Sequence, residues 1–331
     1  MNNATKRIEF IDLLKVIGLI GIMTAHVESP EWALMARAFD VQLMVLISAL
    51  LARKSYERRI SKGGTAGSYI IQRVLRLAVP TWIFLTFYFC IFAFFKGDHG
   101  LDYYVSSYLF SLYGIAYVWI ILIYIYAALV IPLYHKLGTG PIVGISIAII
   151  YVIYELMYHL GIFTESRIFV NTFYYFIPYA ALSFIGYCLP SMKKKTKLTI
   201  LTLSGIVFVL CALFVRFTTG RFERVSIATF PPRAYYLSYG IFIAFALYLI
   251  FEHLNIKIYR AAPVTFVSKN SLWIYLWHIF ALAVYNRTFL FDYWYLELIA
   301  VFVTACLITY IQTLVVSFCK KKTNLKLLNY F

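Results

Sequence analysis

The sequence predicts an all-α polytopic membrane protein: one integral-membrane domain over residues 1–331, with about ten spanning helices and both termini cytoplasmic. Three observations carry this. Of 331 residues, 63% are hydrophobic and only 13% charged, whereas soluble domains sit nearer half and a quarter. The apolar runs recur along the whole chain at about 17–25 residues each, the length of a helical span and not of a barrel strand. Basic residues are also unevenly shared among the segments between the runs.

Taken in order, the first run, 10–27, follows Lys6 and Arg7 as a signal peptide would. Asp12 and Lys15 interrupt its core, however, and no small-x-small cleavage site follows, so it is read as a retained helix. The second run covers 33–52. The third, 77–95, has Arg73 and Arg76 at its threshold and Pro80 just inside. Further runs lie at 117–134, 141–160, 172–190, 198–217, 234–251, 267–285 and 294–317. Residues 101–116 are apolar and aromatic but too short to span, and read as an interfacial or re-entrant piece.

With the N-terminus inside, the inner segments hold 21 Lys and Arg against eight outside, among them Arg37, Lys96, Arg216, Arg221 and Arg287. That ratio obeys the positive-inside rule and explains most of the net charge of +16, so nucleic acid is not needed as a partner. The five cysteines show no C-x-x-C spacing, four lie in apolar runs, and no metal is expected. No internal repeat or matched pair of broken helices points to a carrier.

Charge inside the first run is the first functional signal. Lys15 and His26 are eleven apart, three turns plus about 20°, on one helix stripe about 16 Å long. Asp12 lies on the same stripe. Charged groups within a span are costly and face a bundle interior or wet cavity, so this helix lines something. A neutral imidazole at His26 has the state needed in a general base, or in a nucleophile that briefly carries an acyl group. Asp40, in the second run, or Glu28, just past His26, are candidates to orient that ring.

Arg73 and Arg76, spaced i, i+3, project from one face at the inner mouth of the third span. Pro80 cannot donate to the Arg76 carbonyl, which predicts a kink and a polar notch beside two forks suited to phosphate. A phosphate-bearing donor docking inside, with a base deeper in the bundle, fits acyl-coenzyme A. His278, at a depth similar to His26, and Arg224 and Arg233 in the outer segment 216–233 are candidates for acceptor binding. Glu155 and His159, i, i+4, read as a local pair.

Lys15-x10-His26, then Arg73-x-x-Arg76 with Pro80, resembles the integral-membrane acyltransferase-3 family. FDVQLMVLISALL (39–51), VWIILIYIYAALVIPLY (118–134), FYYFIPYAALSFIGYCL (173–189) and NSLWIYLWHIFAL (270–282) resemble its later helices. Where the family pattern has paired phenylalanines and then Ser-Gly, this chain has Leu43 to Val45 and Ser48-Ala49. The resemblance implies acyl transfer, with acetyl-CoA the usual donor, to a carbohydrate hydroxyl of a surface polysaccharide or lipid-linked precursor at a bacterial inner membrane. It makes His26 the catalytic candidate and Arg73 and Arg76 the donor site; Lys15, on the same stripe as His26, is read beside them as a donor-binding residue lining the path. The rival expectation is a carrier or flippase exporting a lipid-linked sugar.

Overall fold

The computed structural model describes residues 9–92, 100–254, 257–288, 291–323 and 328. Lys6, Arg7, Lys96 and Lys326, four of the cations counted for orientation, lie outside them. Among the described residues there is no strand. The helices in chain order are α1 Glu9–Thr24, α2 Glu31–Ala36, α3 Asp40–Ser61, α4 Ala66–Phe92, α5 Leu101–Tyr108, α6 Trp119–Leu137 and α7 Pro141–His159. They continue as α8 Arg167–Phe169, α9 Tyr175–Cys188, α10 Lys194–Thr219, α11 Ala234–His253, α12 Ala262–Lys269, α13 Ser271–Thr288 and α14 Trp294–Lys322.

Eight stretches among the described residues are long and apolar enough to cross a membrane: α2 with α3, α4, α6, α7, α8 through α9, α10, α11 and α14. The other two expected spans fall on α1, with 16 residues, and α13, with 18, which stand outside that set. The segment 101–116 does not cross. Its helix α5 has eight residues, a rise of about 12 Å, and is held to α4 where the Trp82 indole N–H donates to the Tyr108 carbonyl at 2.9 Å.

The first half of α3 is enclosed by other helices. From Asp40 to Leu50 every residue except Ser48 is buried, and a helix apolar on all sides needs neighbours on all sides. It has them in α1, α4, α6, α9 and α11. The most apolar stretches of α7 and α10 are only 6% buried, against 61% for α2–α3, so those two form the lipid-facing rim.

One contact explains a departure in the sequence. A Cβ placed on Gly186 of α9 would lie 2.4 Å from the Leu46 carbonyl oxygen and 3.0 Å from the Ala49 Cβ. Ala49 thus fits where the family pattern has glycine because the helix facing it supplies the glycine instead. Gly186→Ala is expected to destabilise by about 1–3 kcal/mol through overpacking, read as a lower melting temperature in detergent. Ala49→Gly is expected to cost about 1–2 kcal/mol, from helix propensity together with the loss of a fully buried methyl group.

Candidate functional site

The parallel helices α1 and α13, with α3, α4, α6 and the end of α12, enclose a cavity of about 600 Å³. Its walls are mostly apolar, among them Leu19, Ile22, Met44, Ile47 and Ile121, and its charges are concentrated on a few residues. Arg73 and Arg76 both line it, as their i, i+3 spacing on α4 requires. Helix α4 runs unbroken from Ala66 to Phe92 through the buried Pro80, which leaves the Arg76 carbonyl without its helical donor.

The two arginines are not equivalent. Arg76 is exposed, whereas Arg73 reaches inward and donates from Nη2 to the Ser48 hydroxyl at 3.4 Å. Its Nε–H is buried with no partner, and so is the hydroxyl of Tyr124, which lines the same cavity from α6. Unmade hydrogen bonds on buried polar atoms are costly, and these two groups are available to a polar molecule in the cavity. Lys269, exposed at the end of α12, adds a further cation to the lining.

Lys15 and Asp12 line the cavity too, and both are engaged by Ser268. The Lys15 ammonium donates to the Ser268 carbonyl, and the Ser268 hydroxyl donates to the Asp12 carboxylate. This pair fixes α1 against the α12–α13 joint and so sets the height of α13 beside α1.

His26 lies outside the regular helix on which it was expected. Helix α1 stops at Thr24, and the Ala25 and His26 amides reach back only three residues, to Ile22 and Met23 at 3.1 and 2.9 Å. The tightened turn rotates His26 off the Lys15 stripe, and it is not among the cavity-lining residues. Its ring instead lies edge to edge with that of His278, the planes only 13° apart, with Nδ1 2.8 Å from His278 Nε2, and its centroid is 4.5 Å from that of the Tyr117 ring. His278 is fully buried in α13, and its Nδ1 meets the carbonyl of Tyr275. Tyr275 connects the two regions. Its side chain lines the cavity, lies 6.5 Å from the His26 ring, and is held where its hydroxyl donates to the Tyr117 carbonyl.

The other candidates are placed elsewhere. Asp40 does not orient His26: its carboxylate pairs with Arg37 and accepts the Val41 amide at 2.6 Å, capping α3 after the break at 37–39. It lies against Gly21 of α1, where an added Cβ would be 2.8 Å from the Asp40 Cβ. Glu28 is exposed, and its amide donates to Glu297 at 3.4 Å. Nor is His278 placed to meet an acceptor directly, since both ring nitrogens face protein groups. Arg224 pairs with Glu31 at 3.3 Å, and Arg233 donates to the Ile227 carbonyl and lies over Tyr158, so neither joins the histidines. Glu155 does more than pair with His159 at 3.8 Å, for it also accepts from Tyr151 and from the Ala234 amide. Lys269, Tyr117, Tyr124 and Tyr275 were missed because the sequence offers one inner cation among many and 29 tyrosines without a distinguishing pattern.

An acyltransferase-3 family model, described as an acyltransferase domain, matches residues 8–317. The chain belongs to the acyltransferase-3 family. No curated protein and no solved structure matches it. As a member of this family the protein is a membrane acyltransferase, and the carrier alternative finds no support in the match. In this acyltransferase the Arg73-x-x-Arg76 motif and the Lys15-x10-His26 motif meet around α1, but through two adjoining compartments that share Tyr275.

Proposed function

We propose that this acyltransferase moves an acyl group, acetyl in the first instance, from acyl-coenzyme A in the cytoplasm to a hydroxyl of a surface polysaccharide or its lipid-linked precursor, at a bacterial inner membrane with both chain termini inside. One observation carries the reading: a single cavity with cations at its mouth, apolar walls, two unpartnered buried donors, and an aromatic floor that touches His26. Phosphates of the donor suit Arg73, Arg76 and Lys269, since guanidinium forks take phosphate oxygens in pairs and an ammonium takes them as a point charge. The pantetheine arm suits the apolar wall, and the thioester then reaches His26 past the Tyr275 ring. His26 takes the proton of the attacking hydroxyl, and fixed donors near the thioester stabilise the developing oxyanion. The segment around Arg224 and Arg233 lends the acceptor no support, because both guanidiniums are engaged locally.

Acetyl-CoA binding to detergent-purified protein tests the donor side, and His26-dependent acetylation of a glycan acceptor tests the transfer. A well-folded protein that binds neither acetyl-CoA nor longer acyl-CoAs ends this reading. Lys269→Ala is expected to weaken binding about two- to fivefold in low salt, the contribution of an exposed ion pair, with the difference vanishing in high salt. Calorimetric titration at two ionic strengths measures it.

A further inference from the structure

The histidine pair has a polarity that follows from its hydrogen bonds. A backbone carbonyl can only accept, so the contact between His278 Nδ1 and the Tyr275 carbonyl puts a proton on Nδ1. A fully buried neutral imidazole carries one proton, which leaves His278 Nε2 with its lone pair. That lone pair faces His26 Nδ1 at 2.8 Å, and a hydrogen bond there requires the proton on His26 Nδ1. His26 Nε2 is then the nitrogen left with a lone pair, and no described protein group hydrogen-bonds to it.

From this geometry we infer that His278 is a positioning residue: it holds His26 in the Nδ1–H tautomer and presents His26 Nε2 as the base for acyl transfer. The inference rests on the reading of His26 as the proton acceptor. A carboxylate is the usual orienting group for a catalytic imidazole. Within a membrane bundle a neutral ring does the same work without burying a carboxylate beside His26, while Asp40 pairs with Arg37. The nearly coplanar arrangement, 13° between planes, points the bond along the ring plane, and the Tyr117 ring packs on His26 with centroids 4.5 Å apart.

The chemistry balances on one nitrogen. The acceptor hydroxyl gives its proton to His26 Nε2 as its oxygen bonds to the thioester carbonyl carbon. The tetrahedral intermediate collapses by breaking the carbon–sulfur bond, and the departing thiolate takes the proton back from Nε2. The products are an ester and a free thiol, and His26 returns to the Nδ1–H tautomer. While His26 is doubly protonated, its Nδ1–H bond to His278 becomes charge-assisted and stronger, which offsets part of the cost of the charge formed there.

The test combines kinetics with a spectroscopic reading of the tautomer in the full chain. Nitrogen NMR of ¹⁵N-histidine-labelled protein in nanodiscs, assigned against His26→Asn, is expected to show His26 protonated on Nδ1 in the wild type. His278→Phe keeps an aromatic ring at the position but removes the acceptor. It is expected to release His26 into a tautomer mixture and lower kcat about a hundredfold, with the KM for acyl-CoA within twofold. His278→Gln places a carbonyl oxygen near the lost Nε2 and is expected to recover at least a tenth of wild-type kcat and the Nδ1–H signal. Wild-type His26 protonated on Nε2 would overturn the inference. So would a His278→Phe variant whose defect lies in KM alone. Should His278→Phe not fold, the wild-type spectrum and His278→Gln still decide. The tautomer is read without substrate, so an Nδ1–H His26 in a protein that transfers nothing removes the proposed function and the base role together while keeping the orienting bond.

Discussion

Replacing His26 with alanine is expected to stop acyl transfer while leaving donor binding intact. A positioned general base contributes about 10²–10⁴ in rate, and His26→Ala should lower kcat by that factor. Binding should change less than twofold, because His26 lies beyond Tyr275 and contributes no surface to the cavity that holds the cations. That split between kcat and affinity separates the base reading from a role in docking the donor. Release of free thiol from acetyl-CoA, with and without glycan acceptor, measures the first quantity, and calorimetric titration of the same samples measures the second. Loss of donor affinity in step with kcat would show that the two compartments are one, and would move His26 into the donor site.

The second large effect belongs to Arg73. Removing its guanidinium is expected to weaken acyl-CoA binding about ten- to a hundredfold, the loss of one charge-assisted hydrogen bond worth about 1.5–3 kcal/mol. Arg76→Ala should cost only about two- to fivefold, since Arg76 is exposed and screened by water. Arg73→Lys is not expected to rescue, because a lysine cannot reproduce the planar fork. Stability gives an independent sign. Arg73 Nε–H is buried without a partner, so Arg73→Met relieves an uncompensated polar group in the unliganded protein. Its melting temperature without donor should equal or exceed that of wild type, while the rise produced by saturating acetyl-CoA should shrink. An arginine kept for function leaves that signature. One kept as an interfacial anchor would lower stability on removal and leave affinity unchanged.

Much of the site was legible because helix geometry is local. The i, i+3 arithmetic that put Arg73 and Arg76 on one face holds in α4, where they line one cavity. The same arithmetic failed for His26, because a regular helix was assumed for two residues beyond where α1 ends. At helix ends the pattern of backbone hydrogen bonds changes, and with it the direction of each side chain. Asp40 was misjudged for a related reason. Its neighbours in sequence include Arg37, which claims its carboxylate after the break at 37–39, and hydropathy does not report a break inside an apolar run.

The sequence by itself determined that this chain is a helical membrane protein, that α1 carries charge inward, and that Arg73 and Arg76 lie on one face. Those features depend on composition, run length and the 3.6-residue period, all of which are properties of neighbouring residues. Only the tertiary structure decided what His26 meets. Its partner His278 is 252 positions away, brought to 2.8 Å by the parallel packing of α1 and α13 and by the Asp12–Ser268–Lys15 tie between α1 and the end of α12. Side-chain pairing across helices depends on relative height and rotation, set by close packing over the whole bundle, and no local pattern encodes it.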